Sequence, residues 1–176
     1  MPLNKELDMS RLFDFLDELD QELSRKGRKV TIVAVGGTAM TLLNLKPSTI
    51  DVDFTIPSED YSSVDLALKI LSPGFRVDMW QDGAVFSQFL PEDYLEKSIE
   101  IKTDMKFLHL KALQPLDIIV TKIGRLNERD TQDIEVCIKE FNISKTQIAE
   151  RAKHVELPGN EDIYQENLKY VLNKFF

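Results

Sequence analysis

"IVAVGGTAMTLLNLKPSTIDVDF", residues 32–54, decides how the chain is read: an apolar run enters Gly36-Gly37, and a Pro-Ser-Thr turn then leads into Asp51-Val52-Asp53. "KVTIVAV", residues 29–35, is β-branched and apolar and predicts a central strand. "GTAMTLLNL" predicts a short helix closed by "KPST". "IDVDFTIP" alternates, with Ile50, Val52, Phe54 and Ile56 on one face and Asp51, Asp53 and Thr55 on the other. Asp51 and Asp53 therefore lie side by side, roughly 6–7 Å apart along a strand. Like charges so placed repel unless a cation sits between them, and Mg²⁺ takes a few carboxylates together with waters and phosphate oxygens. A strand that ends in two glycines and opens a helix lets backbone amides come close to an anion, and Thr38 adds a hydroxyl. No Gly-Lys-Ser/Thr follows, so this is not a P-loop, and it is not a dinucleotide fingerprint. The same residues also have a plain reading, a glycine turn and a solvated strand face.

Working outward, residues 8–26 predict an amphipathic helix, with Leu12, Phe13, Leu16, Leu19 and Leu23 at helical spacing and Gly27 as its stop. Ser58 caps a helix through about Leu71, which "SPG" breaks. "FRVDMW" predicts a third strand with Arg76, Asp78 and Trp80 on one face. After an Asp82-Gly83 turn, a strand over 84–89, a short helix near 91–97 and a hairpin of strands over 98–103 and 105–112 are expected. From Pro115 the pattern is helical, near 115–127, 130–141, 144–154 and 161–174, with Ser144 and Gln147 forming a capping box. The fold class expected is α+β, a small mixed sheet flanked by helices with a helical C-terminal third. The expected division is a core over 1–112 and a helical region over 113–176.

The chain has 176 residues, 43% hydrophobic and 30% charged, with a formal charge of −8. That acidity argues against broad duplex binding, which relies on a basic surface that releases counterions. Residues 5–22 set Lys5 and Arg11 against seven carboxylates, a solvated helix face. Lys102, Lys106, Lys111, Lys122, Arg125 and Arg129 gather in the middle of the chain, where a polyanion could dock. No apolar run approaches the roughly 18–20 residues that span a bilayer, and the acidic amino terminus is unlike a signal peptide. The single cysteine, Cys137, cannot form an internal disulfide, and a reduced, cytoplasmic protein with a buried structural thiol is expected. His109 and His154 have no partner at metal spacing. Trp80 either packs in the core or stacks on a base, and Phe175-Phe176 docks the last helix or meets another subunit.

"KIGRLNERDTQD", residues 122–133, holds six charged residues of both signs, among them Lys122, Arg125, Arg129, Asp130 and Asp133. Lys122 and Arg125 share a helix face, Arg129 joins them if the helix continues, and Asp130 and Asp133 are likewise three apart. By itself this also reads as a solvated helix with local ion pairs.

Gly36-Gly37, thirteen residues, then Asp51-x-Asp53, with Asp78 on a later strand, resembles the signature of the nucleotidyltransferase (DNA polymerase β-like) superfamily. The flanking pattern is closer to small bacterial and archaeal nucleotidyltransferase-like proteins, including abortive-infection type toxins. Those carry a Gly-Gly-Thr-Ala stretch, an Asp-x-Asp strand and a later Lys-x-x-Arg-x-x-x-Arg-Asp-x-x-Asp motif, matched here by Lys122, Arg125, Arg129, Asp130 and Asp133. The resemblance covers about residues 29–140; the family often has Ser where this chain has Gly37. It implies Mg²⁺-dependent (or Mn²⁺-dependent) transfer of a nucleoside monophosphate from an NTP to an acceptor: RNA such as a tRNA end, a protein hydroxyl or a small molecule. Asp51 and Asp53 would bind metal, and Asp78 would bind metal or act as the base, with Asp104 the next candidate for a third carboxylate. Gly36, Gly37 and Thr38 would hold the triphosphate. Lys122 would neutralise phosphate charge, Arg125 and Arg129 would assist, and Asp130 or Asp133 would orient the basic groups. A toxin-like enzyme with a cognate partner protein, or a homodimer, is among the implications. The alternatives are a non-catalytic nucleotide-binding or protein-interaction member of the same fold, a metal-dependent nuclease, which needs clustered carboxylates but no glycine pair upstream, and an Asp-x-Asp glycosyltransferase, whose nucleotide-sugar fold usually requires a longer chain.

Overall fold

The computed structural model describes residues 6–176; Lys5, counted above with the acidic helix face, lies outside them. In chain order the elements are β1 (Leu7–Asp8), α1 (Met9–Arg25), β2 (Val30–Ala34), α2 (Gly36–Leu42), β3 (Ser48–Thr49), β4 (Val52–Ile56), α3 (Ser58–Leu71), β5 (Val77–Gln81), β6 (Ala84–Val85), β7 (Gln88–Phe89), α4 (Tyr94–Lys97), β8 (Ile99–Glu100), β9 (Leu108–Ala112), α5 (Pro115–Arg125), α6 (Glu128–Phe141), α7 (Lys145–Ala152) and α8 (Glu161–Phe175). They form two compact units. The first holds the described residues up to Asp82 together with Ser98–Ala112, and the second holds Gly83–Lys97 and Leu113–Phe176.

In the first unit five strands form one mixed sheet in the order β5-β4-β2-β9-β8. β2 pairs parallel to β9 and antiparallel to β4, β4 pairs parallel to β5, and β8 pairs antiparallel to β9. The β-branched and aromatic runs supply the sheet interior: Ile32, Val33, Phe54, Ile56 and Leu110 are almost fully buried. All five residues of β4 are buried, so Asp53 at 7% and Thr55 at 0% exposure do not form the solvated face of the plain reading. A strand inside a sheet covered on both faces has no wet side, and its polar residues must find partners. The helix α1 follows its predicted stripe, with Leu12, Leu16, Leu19 and Leu23 fully buried, and packs on α3 and β9. Its Asp20 Oδ1 accepts the amides of Phe107 and Leu108, both at 2.8 Å, which fixes the entry to β9. Ser58 is not the cap of α3 as its sequence position suggested; Pro57 occupies that place. The capping is done from the end of β5, where the Asp82 carboxylate accepts the Ser58 amide at 2.8 Å and its hydroxyl.

In the second unit α5 packs against α6, α7 and α8. Ile118, Ile119, Ile134, Cys137, Ile148 and Val171 fill its interior. The predicted capping box of α7 is present, with Ser144 and Gln147 exchanging side-chain bonds to each other's amides. Segment 83–97, expected with the sheet, belongs here because several polar ties hold it. Gln88 Nε2 donates to the Thr121 carbonyl at 2.9 Å, Phe89 bridges to Glu156, and Arg151 Nη1 donates to Asp93 at 2.7 Å while its Nε and Nη2 grip the fully buried Asp117. The single strand expected over 84–89 is instead the hairpin β6–β7, turned at Phe86 and Ser87 with φ of 48° and 63°. Among the described residues no helix is long and apolar enough to cross a membrane.

Candidate active site

The glycine pair and the aspartates meet through backbone geometry. Gly36 opens α2 with φ of 53°, a region that glycine enters without steric cost. A Cβ on Gly37 would lie 2.9 Å from Thr49 Oγ1, so the close approach of α2 to the segment before β4 requires glycine. Thr38, fully buried, donates its hydroxyl to the Asp51 carbonyl at 3.1 Å and accepts the Asp53 amide at 3.0 Å. Thr49 Oγ1 donates to the same Asp51 carbonyl at 2.8 Å, and Val35 N donates to the Asp53 carbonyl at 3.0 Å. The Asp51–Asp53 backbone is thus pinned between the end of β2 and the first turn of α2, whose N-cap residue Val35 makes no side-chain capping bond.

Asp53 and Asp78 are direct register partners on the parallel strands β4 and β5. Parallel neighbours lie about 5 Å apart with side chains on a common face. Asp51 sits one residue ahead of β4 and is half-buried. Arg76, just ahead of β5, places Nε 2.8 Å from Asp78 Oδ2 while its side chain stays 71% exposed. The bonded Asp78 raises the Arg76 guanidinium above its ordinary range, and the charges of Asp51 and Asp53 add to that pull. A cation has already been drawn to the carboxylates, and they are hard oxygen donors. Among the described residues no three acids converge into a ready-made metal cluster. Mg²⁺ is commonly held by one or two carboxylates with substrate phosphates completing the shell, so the residues present fit that ion. Asp104 lies exposed between β8 and β9.

The charges of residues 122–133 are arranged differently. Leu126 turns left-handed at φ of 44° and ends α5; Asn127 caps α6 in a reciprocal box with Asp130. Lys122 and Arg125 therefore share the last turn of α5, whereas Arg129 is exposed on the next helix and does not continue their face. Lys122 is 5% exposed, with Nζ 3.2 Å from Asp130 and 2.9 Å from Asp133, both buried. Arg125 grips Asp130 with two parallel bonds of 2.9 and 2.8 Å, and its guanidinium lies 5.1 Å from the centre of the Phe86 ring. Burial pushes the Asp130 carboxyl up, but the Arg125 bonds, the Lys122 charge and the Asn127 amide outweigh it and hold the group below the usual carboxylate range. The solvated-face reading of this stretch fails for Lys122, Asp130 and Asp133.

Other singled-out residues have ordinary surroundings. Burial pushes the Cys137 thiol up to about 12, which keeps it from being a nucleophile near neutral pH. His109 pairs with Glu100 at 3.1 Å on the sheet edge. Sequence reasoning gave Arg76 no role at the carboxylates and overlooked Thr49. The signal for Arg76 was its offset of two from Asp78, which already put both on one strand face.

The protein is similar in fold to a solution structure of the antibiotic-resistance factor ANT(2'')-Ia, at 9% identity over 84% of this chain and 91% of that one, with a TM-score of 0.56. A crystal structure of ANT(2'')-Ia in complex with adenylyl-2''-tobramycin matches at 8% identity over 96% and 100% of the two chains, with a TM-score of 0.55. An antigenic nucleotidyltransferase-like protein from Paracoccidioides brasiliensis matches at 18% identity over 91% and 94%, with a TM-score of 0.51. At these identities the likeness shows the fold alone, an α+β nucleotidyltransferase-like architecture with a mixed five-stranded sheet and a helical C-terminal region. No curated protein matches the chain significantly. The model of the family described as "Nucleotidyltransferase of unknown function (DUF6036)" matches residues 10–174, and the chain belongs to that family.

Proposed function

We propose that the protein transfers a nucleoside monophosphate from an NTP to an acceptor hydroxyl, with Mg²⁺ or Mn²⁺ held by Asp51 and Asp53. The observation that carries this reading is the register pairing of Asp53 with Asp78 on adjacent parallel strands, with Asp51 one residue ahead of β4. The bound metal supplies positive charge that offsets repulsion between these carboxylates and the triphosphate. Gly36, Gly37 and Thr38, at the start of α2, would hold the triphosphate. Thr38 is a positioning residue, because its hydroxyl fixes the carbonyl of Asp51 and the amide of Asp53 rather than pointing outward. Asp78 takes the proton of the acceptor hydroxyl or serves as a third metal ligand. As the acceptor oxygen bonds to the α-phosphorus, the bond to the bridging oxygen breaks and pyrophosphate leaves. Lys122, Asp130 and Asp133 brace the junction of α5 and α6, and Arg125 presents the more exposed of the two cations there.

Incubation of the full chain with each labelled NTP, Mg²⁺ and a cell extract tests the reading. Label should move to an RNA, a protein or a small molecule, and the labelled species identifies the acceptor. Asp53→Asn should lose transfer by a factor of about 10²–10³ while its circular dichroism stays native. Wild-type transfer that Asp53→Asn leaves intact would overturn it. Nucleotide binding without transfer would favour the non-catalytic alternative.

A further inference from the structure

We propose that Arg76 is a built-in counter-cation of the carboxylate face, one that yields Asp78 when a divalent metal arrives and turns its guanidinium to the phosphates of the donor. The inference rests on the metal–NTP reading above and adds a residue and a sequence of events to it.

Arg76 sits immediately before β5, two residues from Asp78, and Asp78 is in register with Asp53. Its Nε meets Asp78 Oδ2 at 2.8 Å, so it occupies an oxygen that a metal ligand would need. Asp51 and Asp53 also act on its charge. A guanidinium does not lose its proton in proteins, so it cannot be silenced in place and must move when the metal competes for Asp78. Two features let it move. Its side chain is 71% exposed, and exposed ion pairs contribute little, so displacement is easy. Once displaced, its planar fork suits phosphate oxygens better than an ammonium would. In the absence of nucleotide Arg76 thus weakens metal binding; in its presence Arg76 adds a donor contact.

The two halves predict opposite signs for one substitution. Free Mn²⁺ is followed by electron paramagnetic resonance on the full chain, first with Mn²⁺ alone and then with an NTP analogue whose α,β bridge cannot be cleaved. Arg76→Gln should bind Mn²⁺ alone about two- to fivefold more tightly than wild type, the size expected for losing an exposed competitor. With the analogue and Mn²⁺ together it should bind nucleotide about tenfold more weakly, as for loss of a charged hydrogen bond. Arg76→Lys should restore most of the first effect and little of the second, because it keeps the charge and loses the fork. Arg28→Gln, which removes a cation paired with Asp60 elsewhere on the first unit, should change neither. Unchanged or weaker Mn²⁺ binding in Arg76→Gln, with Mn²⁺ binding that still depends on Asp53, overturns the role of Arg76 and leaves the metal site standing. Unchanged nucleotide affinity overturns the second half. Mn²⁺ binding indifferent to Asp53→Asn overturns both this inference and the metal site beneath it.

Discussion

Arg76 meets Asp78 at 2.8 Å in the first unit, and Lys122 meets Asp133 at 2.9 Å in the second, yet the two pairs do opposite things for the regions that hold them. Around Lys122 the charges balance: Lys122 and Arg125 face Asp130 and Asp133, and the Asp130 oxygens accept from Lys122, Arg125 and the Asn127 amide. Three of these four charges are buried and each has an opposite charge within reach, so the network holds the α5–α6 junction together. Around Arg76 the cation is exposed instead: it meets Asp78 with its side chain 71% exposed, while Asp53, the register partner of Asp78, is held at 7% exposure by backbone bonds at both its amide and its carbonyl. Equal contact distances therefore say little; the exposure of the cation, 71% for Arg76 against 5% for Lys122, separates the two pairs.

The largest break in this comparison should come from Lys122→Ala. Removing the ammonium strands two buried carboxylates and should cost about 3–5 kcal/mol in urea unfolding. A loss below about 1 kcal/mol would return the stretch to a surface role. The same network sets an acid limit. Asp130 is held below its unfolded value near 3.9, so its contribution is fully present above about pH 4 and is lost as pH falls through the lower folded value. Asp130→Asn should flatten the stability profile below pH 4 while lowering its plateau.

Thr38→Val sharpens the other side. It keeps the volume but leaves the Asp53 amide without its acceptor and removes one donor from the Asp51 carbonyl, which should cost about 1–3 kcal/mol. Its metal affinity should fall less than that of Asp53→Asn, because the ligands remain and only their support loosens. The smallest effect belongs to Arg129→Ala. Exposed on the first turn of α6, it should change stability by no more than about 0.5 kcal/mol. A larger change would show that the face of Lys122 and Arg125 does extend to it.

The strands β2, β4, β5 and β9 and the longer helices were legible because hydrophobic periodicity is written into 30–34, 52–56, 77–81 and 108–112 and into the leucines of α1. The β6–β7 hairpin was not, since its left-handed turn falls on Phe86-Ser87 rather than on the Asn-Gly that announces such turns. The strands β1 and β3, two residues each and far apart in sequence, leave no periodic trace. Of the candidate site, the Asp-x-Asp spacing was legible from the pleat. The pairing of Asp53 with Asp78 depends on strand register, which separate strand readings do not supply. A helix end near residue 127 was legible, but the left-handed Leu126 that puts Arg129 on a separate helix from Lys122 and Arg125 was not, because no glycine or proline stands there.

The central claim is that the carboxylates of Asp51, Asp53 and Asp78 form a site completed by a divalent ion and a triphosphate. Calorimetric titration of the full chain with an NTP, once with Mg²⁺ and once with excess chelator, tests it most directly. The account predicts an affinity at least about tenfold higher with Mg²⁺, a gain that Asp53→Asn abolishes. Equal affinity under the two conditions would contradict it.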